Sequence, residues 1–412
     1  MATVAITRVR TQDARFPLAG GAGSDSVHRD PIYAYAVTWL ETDGGPRGCG
    51  LALTIGAGNE LVCRAIETLA APLVGREIED LMADFGDVWR SIADHPQYRW
   101  LGPHKGVVHL ALASLANACF DLWAKARGVP LWRLLLDLSP EATLALCDLS
   151  RVQDVLPVER ADALLREASH GRAERTAILR AGYPGYDTSV GWFAYPDDAI
   201  RENARRAAGE GFRALKLKVG SEDGARDLRR ARIVREAVGP DVRIMLDANQ
   251  AWSLPRATAI CRALGEIGPE FIEEPLHPDD VIGHRELVVA IAPLRVALGE
   301  HVPNAVLFKS FLQAQALHVA QPDCVRLGGV SEFLTVALLC RALGVPVVPH
   351  VGDMGQIHQH LVLWNHVALG ADASFLEHIP HLRAHFREPA RVSEGRYVTP
   401  EAPGASTELV LD

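Results

Sequence analysis

The chain's apolar positions fall into two textures. From about residue 143 onward, short apolar runs of strand length alternate with amphipathic stretches of helix length. The runs are ALKLKV (214–219), VRIMLDAN (242–249), EFIEEP (270–275), RVALGE (295–300), DCVRL (323–327), VPVVPH (345–350) and SFLEH (374–378). Such alternation predicts βα units around a parallel sheet. An Ala- and Leu-rich run, ATLALCDL (142–149), supplies a candidate eighth strand. Eight units in about 235 residues is the size of a (β/α)8 barrel. Before that point the pattern is mixed. A Val/Tyr/Thr-rich segment at 32–42 predicts strand, and 61–73 and 107–127 carry helical periodicity. The expected organisation is an N-terminal α+β unit (1–140), a barrel (141–378) and a Pro-containing tail (379–412) that packs back on the first unit.

The polar residues that punctuate these runs carry the chemistry. Lys218, Asp247, Glu273, Glu300, Asp323, His350 and Glu377 recur at intervals of 29, 26, 27, 23, 27 and 27 residues, one βα unit each time. The C-terminal ends of barrel strands open onto one face, so these seven groups are expected at one mouth. Asp247, Glu273 and Glu300 come from three successive strands. Three carboxylates that close repel unless a cation joins them, and an oxygen-only set favours a hard ion such as Mg2+ over zinc. Glu274 faces away from Glu273 on an extended chain, so Glu273 is read as the ligand and Glu274 as a supporting residue behind it or one held in a salt bridge. Lys216 and Lys218 share one face of their strand, and each ammonium is expected to lower the other's pKa, which would make a base near neutrality. Asp323, one unit before His350, suits the second nitrogen of that imidazole.

Together these groups fit removal of a proton alpha to a carboxylate, with a cation on the enediolate, Lys218 or His350 as base, and Glu377 as a hydrogen-bond partner of the developing charge. Reprotonation would give racemisation or epimerisation, and loss of a beta hydroxyl would give dehydration. A non-catalytic metal-binding barrel would be expected to lack Lys218, His350 or a ligand. A phosphate-binding barrel would need a Gly-rich loop after its last strands, of which VGDMGQ is a poor version.

Composition narrows the partners. Lys plus Arg number 42 against 51 acidic residues, a net charge of −9 without long basic runs, which argues against nucleic acid and membrane surfaces. The 107–123 stretch is interrupted by His109, Asn117 and Asp121 and reads as a packed helix. The N-terminus has no apolar signal core, and seven scattered cysteines without a CxxC pair suit reduced thiols in the cytoplasm. A Gly-rich loop, GGAGSDSVHRDP (20–31), has no Lys-Ser/Thr and opens no helix, so it reads as a mobile loop carrying Asp25, His28 and Asp30, a candidate lid.

The metal carboxylates, the KxK strand and the Asp–His pair resemble the mandelate racemase subgroup of the enolase superfamily. Longer segments resemble L-fuconate dehydratases: SDSVHRDPIYAYAV, RWLGPHKGVVHLALASLANACFDLWAK, YPGYDTSVGWFAY, FRALKLKVG, LDANQAW, FIEEPLHPDDVIGH, GEHVPNAVLFKSFLQA and EGRYVTPEAPGAS. The resemblance implies a modified barrel capped by both ends of the chain, one Mg2+ per subunit, a homo-oligomer, and dehydration of a sugar acid to its 2-keto-3-deoxy product. It further implies that Lys218 takes the C2 proton and that His350, backed by Asp323, protonates the departing 3-hydroxyl. Lys105 and Trp192 are expected to help line the pocket, and Asp25, His28, Tyr33, Asn249 and His301 in the same segments are the remaining expected substrate contacts. One departure stands out. After the histidine an Ala-Gly-Gly-Val run is expected, and Val351-Gly352-Asp353-Met354 is found. That loop and the lid are expected to face the distal end of the substrate.

Overall fold

A computed structural model describes residues 4–411. Residues 1–3 and 412, the outer ends of the expected first and last segments, lie outside it. β1 (Ile6–Pro17), β2 (Ile32–Thr42) and β3 (Gly48–Thr54) form an antiparallel sheet in that order. Against it packs the helix Gly106–Ala126, long and apolar enough to cross a membrane but buried over most of its length inside the protein. Two glycines of β3 permit this approach: a Cβ on Gly50 would lie 2.0 Å from the Ser114 carbonyl oxygen. His109, Asn117 and Asp121 are buried in the helix and each meets a partner, so its polar interruptions are packed positions.

The second sheet is the barrel. β4 (Tyr183–Gly191), β5 (Ala214–Lys218), β6 (Arg243–Asp247), β7 (Phe271–Glu273), β8 (Val296–Leu298) and β9 (Val319–Ala320) pair in parallel, in sequence order. The seventh position is held by Val347 through a single parallel bridge to Ala320, and β10 (Leu376–His378) closes the barrel by pairing with β4. The interior is layered by the two-residue period of the strands. One apolar layer takes a residue from nearly every strand position: Tyr186, Ala214, Met245, Phe271, Ala297, Val319 and Val348. Two residues onward along β5, β6 and β7 stand Lys216, Asp247 and Glu273, and Glu377 stands two residues beyond Phe375, which packs against the same layer. The barrel is thus apolar below and ionic above.

Two expected strands fall elsewhere. Residues 140–145 are a helix, opened by Ser139 accepting the Ala142 N–H with Pro140 in its first turn, a helix-start signature that outweighs the apolar run behind it. The first barrel strand is instead the polar, Gly- and Pro-containing YPGYDTSVG of β4. Asp323–Leu327 is also no strand: β9 ends at Ala320, and Asp323 opens a turn by accepting the Val325 N–H at 2.9 Å.

The three-stranded unit sits over the C-terminal face of the barrel. The Leu53 N–H donates to the Val325 carbonyl at 3.0 Å, Tyr35 Oη–H to Gly352 at 3.0 Å, and Ser26 Oγ–H to Ala248 at 2.9 Å. The tail touches both bodies. β11 (Val392–Ser393) and β12 (Arg396–Tyr397) extend the sheet at β4, while the Ala405 N–H donates to Asp121 at 2.7 Å and Thr407 Oγ1–H to the Cys49 carbonyl at 2.7 Å. All seven cysteines are free and buried.

A buried pair fastens cap to barrel. Glu332 accepts from His109 Nε2 at 2.7 Å, from the Ala305 N–H at 2.8 Å and from the Gly328 N–H at 2.8 Å. Burial pushes its pKa up, yet His109 and the two N–H donors outweigh burial and the net direction is down. A lowered folded-state pKa contributes stability above the unfolded value of about 4.3 and loses it as pH falls through the folded one. Glu332→Gln is therefore expected to cost roughly 1–3 kcal/mol at pH 7. The Tm gap between the two proteins should shrink below about pH 4; a gap independent of pH would show that the charge on Glu332 contributes nothing.

Candidate active site

Strand register builds the site. Lys218 pairs with Asp247, and Asp247 with Glu273, so three strand ends place their charges in one row. Glu300 follows β8 through Gly299, where a Cβ would lie 2.4 Å from the Gln321 backbone; only glycine lets the chain pass. Asp247, Glu273 and Glu300 offer oxygens that lie within 4.8 Å of one another, the arrangement expected of them. Burial, together with Asp247 beside it, pushes the Glu273 carboxyl up to about 8. Glu300 Oε2 is buried without a hydrogen-bond partner. Crowded acids with an orphaned oxygen and no soft donor suit a hard divalent cation.

Immediately after β6 and β7 the backbone enters the left-handed region at Asn249 (φ 45°), Gln250 (φ 64°) and Glu274 (φ 41°). Strain of this kind, costing about 1–3 kcal/mol per residue, collects at functional sites. It turns Glu274 away from the row, where it accepts from His301 Nδ1 at 3.0 Å and from the Gln250 amide.

Lys216 is fully buried, 2.6 Å from Glu377 and 3.1 Å from Glu273. Lys218 Nζ donates to Asp247 Oδ2 at 2.5 Å and to Asn249 Oδ1 at 3.1 Å, with the Trp192 ring centroid 5.6 Å away. The expected lowering of the lysine pKa is not the net result. Burial and Lys216 push Lys218 down, but Asp247, Glu300 and Asp25 outweigh them, and the ammonium is held above its ordinary value. The acids that reverse the effect reach Lys218 from other strands and from the cap, not from its own strand.

On the other side, His350 Nδ1 donates to Asp323 Oδ2 at 2.7 Å, while its Nε2 stands 3.5 Å from Glu300. Burial lowers the His350 pKa, but Glu300, Asp323 and Glu377 raise it to about 9. Glu377 accepts from Thr188 Oγ1 at 2.5 Å and from the Val351 N–H at 3.0 Å.

A cavity of about 310 Å³ opens between the barrel mouth and the cap. Lys218, Glu300, His350 and Glu377 line it from below; Asp25, His28, Tyr33, Trp192 and His301 line it as expected substrate contacts. Asp25 Oδ2 accepts from His28 Nδ1 at 3.0 Å. Trp192 is held by Arg230, a buried guanidinium that donates to the Trp192 and Tyr195 carbonyls at 2.8 Å each. Two expected contacts lie elsewhere. Lys105 is half exposed and paired with Asp279, and Asn249 turns to Lys218 and Asp247. Of the departing loop, Gly352 reaches the cavity whereas Asp353 is fully buried. The cavity also contains groups the sequence did not announce: Leu53, Ile55 and Leu110 from the cap, and Arg326, whose Nε–H donates to the Glu300 carbonyl at 2.9 Å. Arg326 lies three residues after Asp323, inside a run read as strand.

An ionic barrel mouth with three carboxylates, a KxK strand and an Asp–His pair, roofed by an α+β cap, defines a family. Residues 199–412 match the family model described as enolase C-terminal domain-like, and the chain belongs to the enolase superfamily. It is 40% identical to an L-galactonate dehydratase of Hypocrea jecorina, over 99% of this chain and 93% of that one. The crystal structure of human mitochondrial enolase superfamily member 1 superposes with a TM-score of 0.95 at 39% identity, covering 99% of this chain and 95% of the other. An L-talarate dehydratase from a Polaromonas species, crystallised with Mg and L-glucarate, superposes with a TM-score of 0.76 at 27% identity, covering 99% and 95%.

Proposed function

We propose that the chain is a Mg2+-dependent acid-sugar dehydratase acting on a six-carbon monoacid of the L-galacto series, L-fuconate or L-galactonate, which differ by a 6-hydroxyl. The observation that carries this reading is the placement of Lys218 and the Asp323-backed His350 around one cavity with Glu300. The Hypocrea jecorina relative supports the reaction and the configuration, and the magnesium in the Polaromonas structure supports the ion. A cavity of about 310 Å³ suits a ligand of this size.

Asp247, Glu273 and Glu300 would hold Mg2+. A cation held there would supply positive charge to the substrate carboxylate and the enediolate and would draw on the Asp247 charge that raises the Lys218 pKa. Lys218 then removes the C2 proton, and the electron pair moves into the enediolate. Collapse of the enediolate expels the 3-hydroxyl, which leaves as water with a proton from His350 Nε2. The resulting enol becomes the 2-keto-3-deoxy acid. Glu377 and Lys216 hold the row of charges in place beneath, and the lid residues Asp25 and His28 face the hydroxylated chain.

Purified protein with Mg2+, screened against five- and six-carbon sugar acids for 2-keto acid formation, is expected to turn over L-fuconate, L-galactonate or both, and to lose that activity on chelation. Deuterium uptake at C2 without keto product would replace dehydration by epimerisation through the same residues. Absence of both signals would overturn the reading.

A further inference from the structure

Asp323 holds two imidazoles, and the mechanism above uses only one. Its Oδ2 accepts from His350; its Oδ1 accepts from His358 Nε2 at 2.9 Å and from the Val325 N–H at 2.9 Å. Both Asp323 and His358 are wholly buried. We infer that His358 is a positioning residue: it clamps the far oxygen of Asp323 and so fixes the carboxylate plane that aims His350 into the cavity.

The geometry argues for a specific contact. With His358 in place Oδ1 accepts two hydrogen bonds, from His358 and from the Val325 N–H; without it the backbone N–H is the remaining restraint on that oxygen, and the carboxylate has more freedom to turn about its Cβ–Cγ bond and carry the imidazole of His350 with it. His358 is the third residue of the helix Gln356–Val367, where the helix dipole disfavours a cation and burial disfavours it further. An ionised Asp323 can only accept, so the Nε2–H of His358 is the donor in this contact, and Cys324 and Asp323 beside it hold the imidazole above its usual range despite burial. The chain invests in this turn: Asp353 accepts from the Gly355 N–H at 2.6 Å and the Gln356 N–H at 3.2 Å, anchoring the start of the helix. The departure after His350 is thus tied to the support beneath the acid as well as to the cavity. Asp323, Cys324 and His358 are also a donor set a metal could use. However, two ligands on one tetrahedral zinc at about 2.1 Å stand roughly 3.4 Å apart, and the 2.9 Å contact between His358 and Asp323 is a hydrogen bond.

The kinetic arm rests on the dehydratase reading; the spectroscopic arm does not. His358→Leu in the full-length Mg2+-loaded protein is expected to lower turnover of L-fuconate or L-galactonate about 10- to 100-fold, the usual cost of losing an outer partner of a functional histidine. Exchange of the C2 proton with heavy water, assigned to Lys218, should persist near the wild-type rate. His358→Gln, whose amide can still donate to Oδ1, should recover most of the turnover. Proton NMR of the downfield imidazole N–H signals should show the His350 Nδ1–H displaced in the Leu variant and restored in the Gln variant, whatever the substrate. An unmoved His350 signal would overturn the inference, as would Leu and Gln variants that lose turnover and C2 exchange in parallel.

Discussion

Lys218→Ala is expected to lower turnover by at least about 10^3-fold and to abolish exchange of the substrate's C2 proton with heavy water. A positioned general base contributes roughly 10^2 to 10^4 in rate, and a factor of 10^3 corresponds to about 4 kcal/mol of barrier. The effect should fall at the upper end because the neighbouring amine is not placed to substitute. Lys216, two residues earlier, is locked between Glu377 and Glu273 and does not line the cavity. The fold should survive, since Ala keeps the strand and the register with Asp247 is set by the backbone. Magnesium affinity, measured by calorimetry, should hold or rise, because Asp247 loses an ammonium that competes for its charge. Retention of C2 exchange in Lys218→Ala would assign the base elsewhere; loss of magnesium binding would make Lys218 a structural partner of the ligand set.

Much of this site was legible because a barrel converts spacing into proximity. Asp247, Glu273, Glu300, His350 and Asp323 announce themselves as polar residues at intervals of one βα unit, and no side-chain detail is needed to bring them together. Spacing is a weaker guide where local signals compete. Residues 142–149 are apolar enough for a strand, but Ser139 and Pro140 start a helix there, and the true first strand hides its period under glycine, proline and hydroxyl groups. The cavity roof was harder still. Leu53, Ile55 and Leu110 reach it from a separate body, and their apolar side chains look like any other core residue in sequence. Lys105, expected at the pocket from the resemblance, pairs with Asp279, 174 residues away, a partner that no local signal announces. Charge balance was the subtlest miss. Pairing Lys216 with Lys218 is visible along the strand, whereas the acids that reverse its effect come from across the sheet.

His350→Asn should stop dehydration while sparing the first proton transfer, and this separation is the sharpest test of the roles assigned to the two sides of the cavity. Asn can keep a hydrogen bond to Asp323 but has no proton to give at neutral pH, so the 3-hydroxyl must leave as hydroxide. Turnover to the 2-keto acid is expected to fall at least about 10^3-fold, comparable to removing the base. Deuterium should nevertheless appear at C2 of recovered substrate, because the enediolate formed by Lys218 returns its proton when elimination is blocked. Asp323→Asn should give a milder form of the same phenotype, since an amide can no longer stabilise an imidazolium and can favour the wrong tautomer. If His350 instead were the C2 base, its Asn variant would lose exchange and the Lys218→Ala variant would keep it. If both served as opposed bases in an epimerase, each variant would retain exchange from one C2 epimer only. The three patterns are mutually exclusive, and C2 exchange read on both variants separates them without a crystal of either.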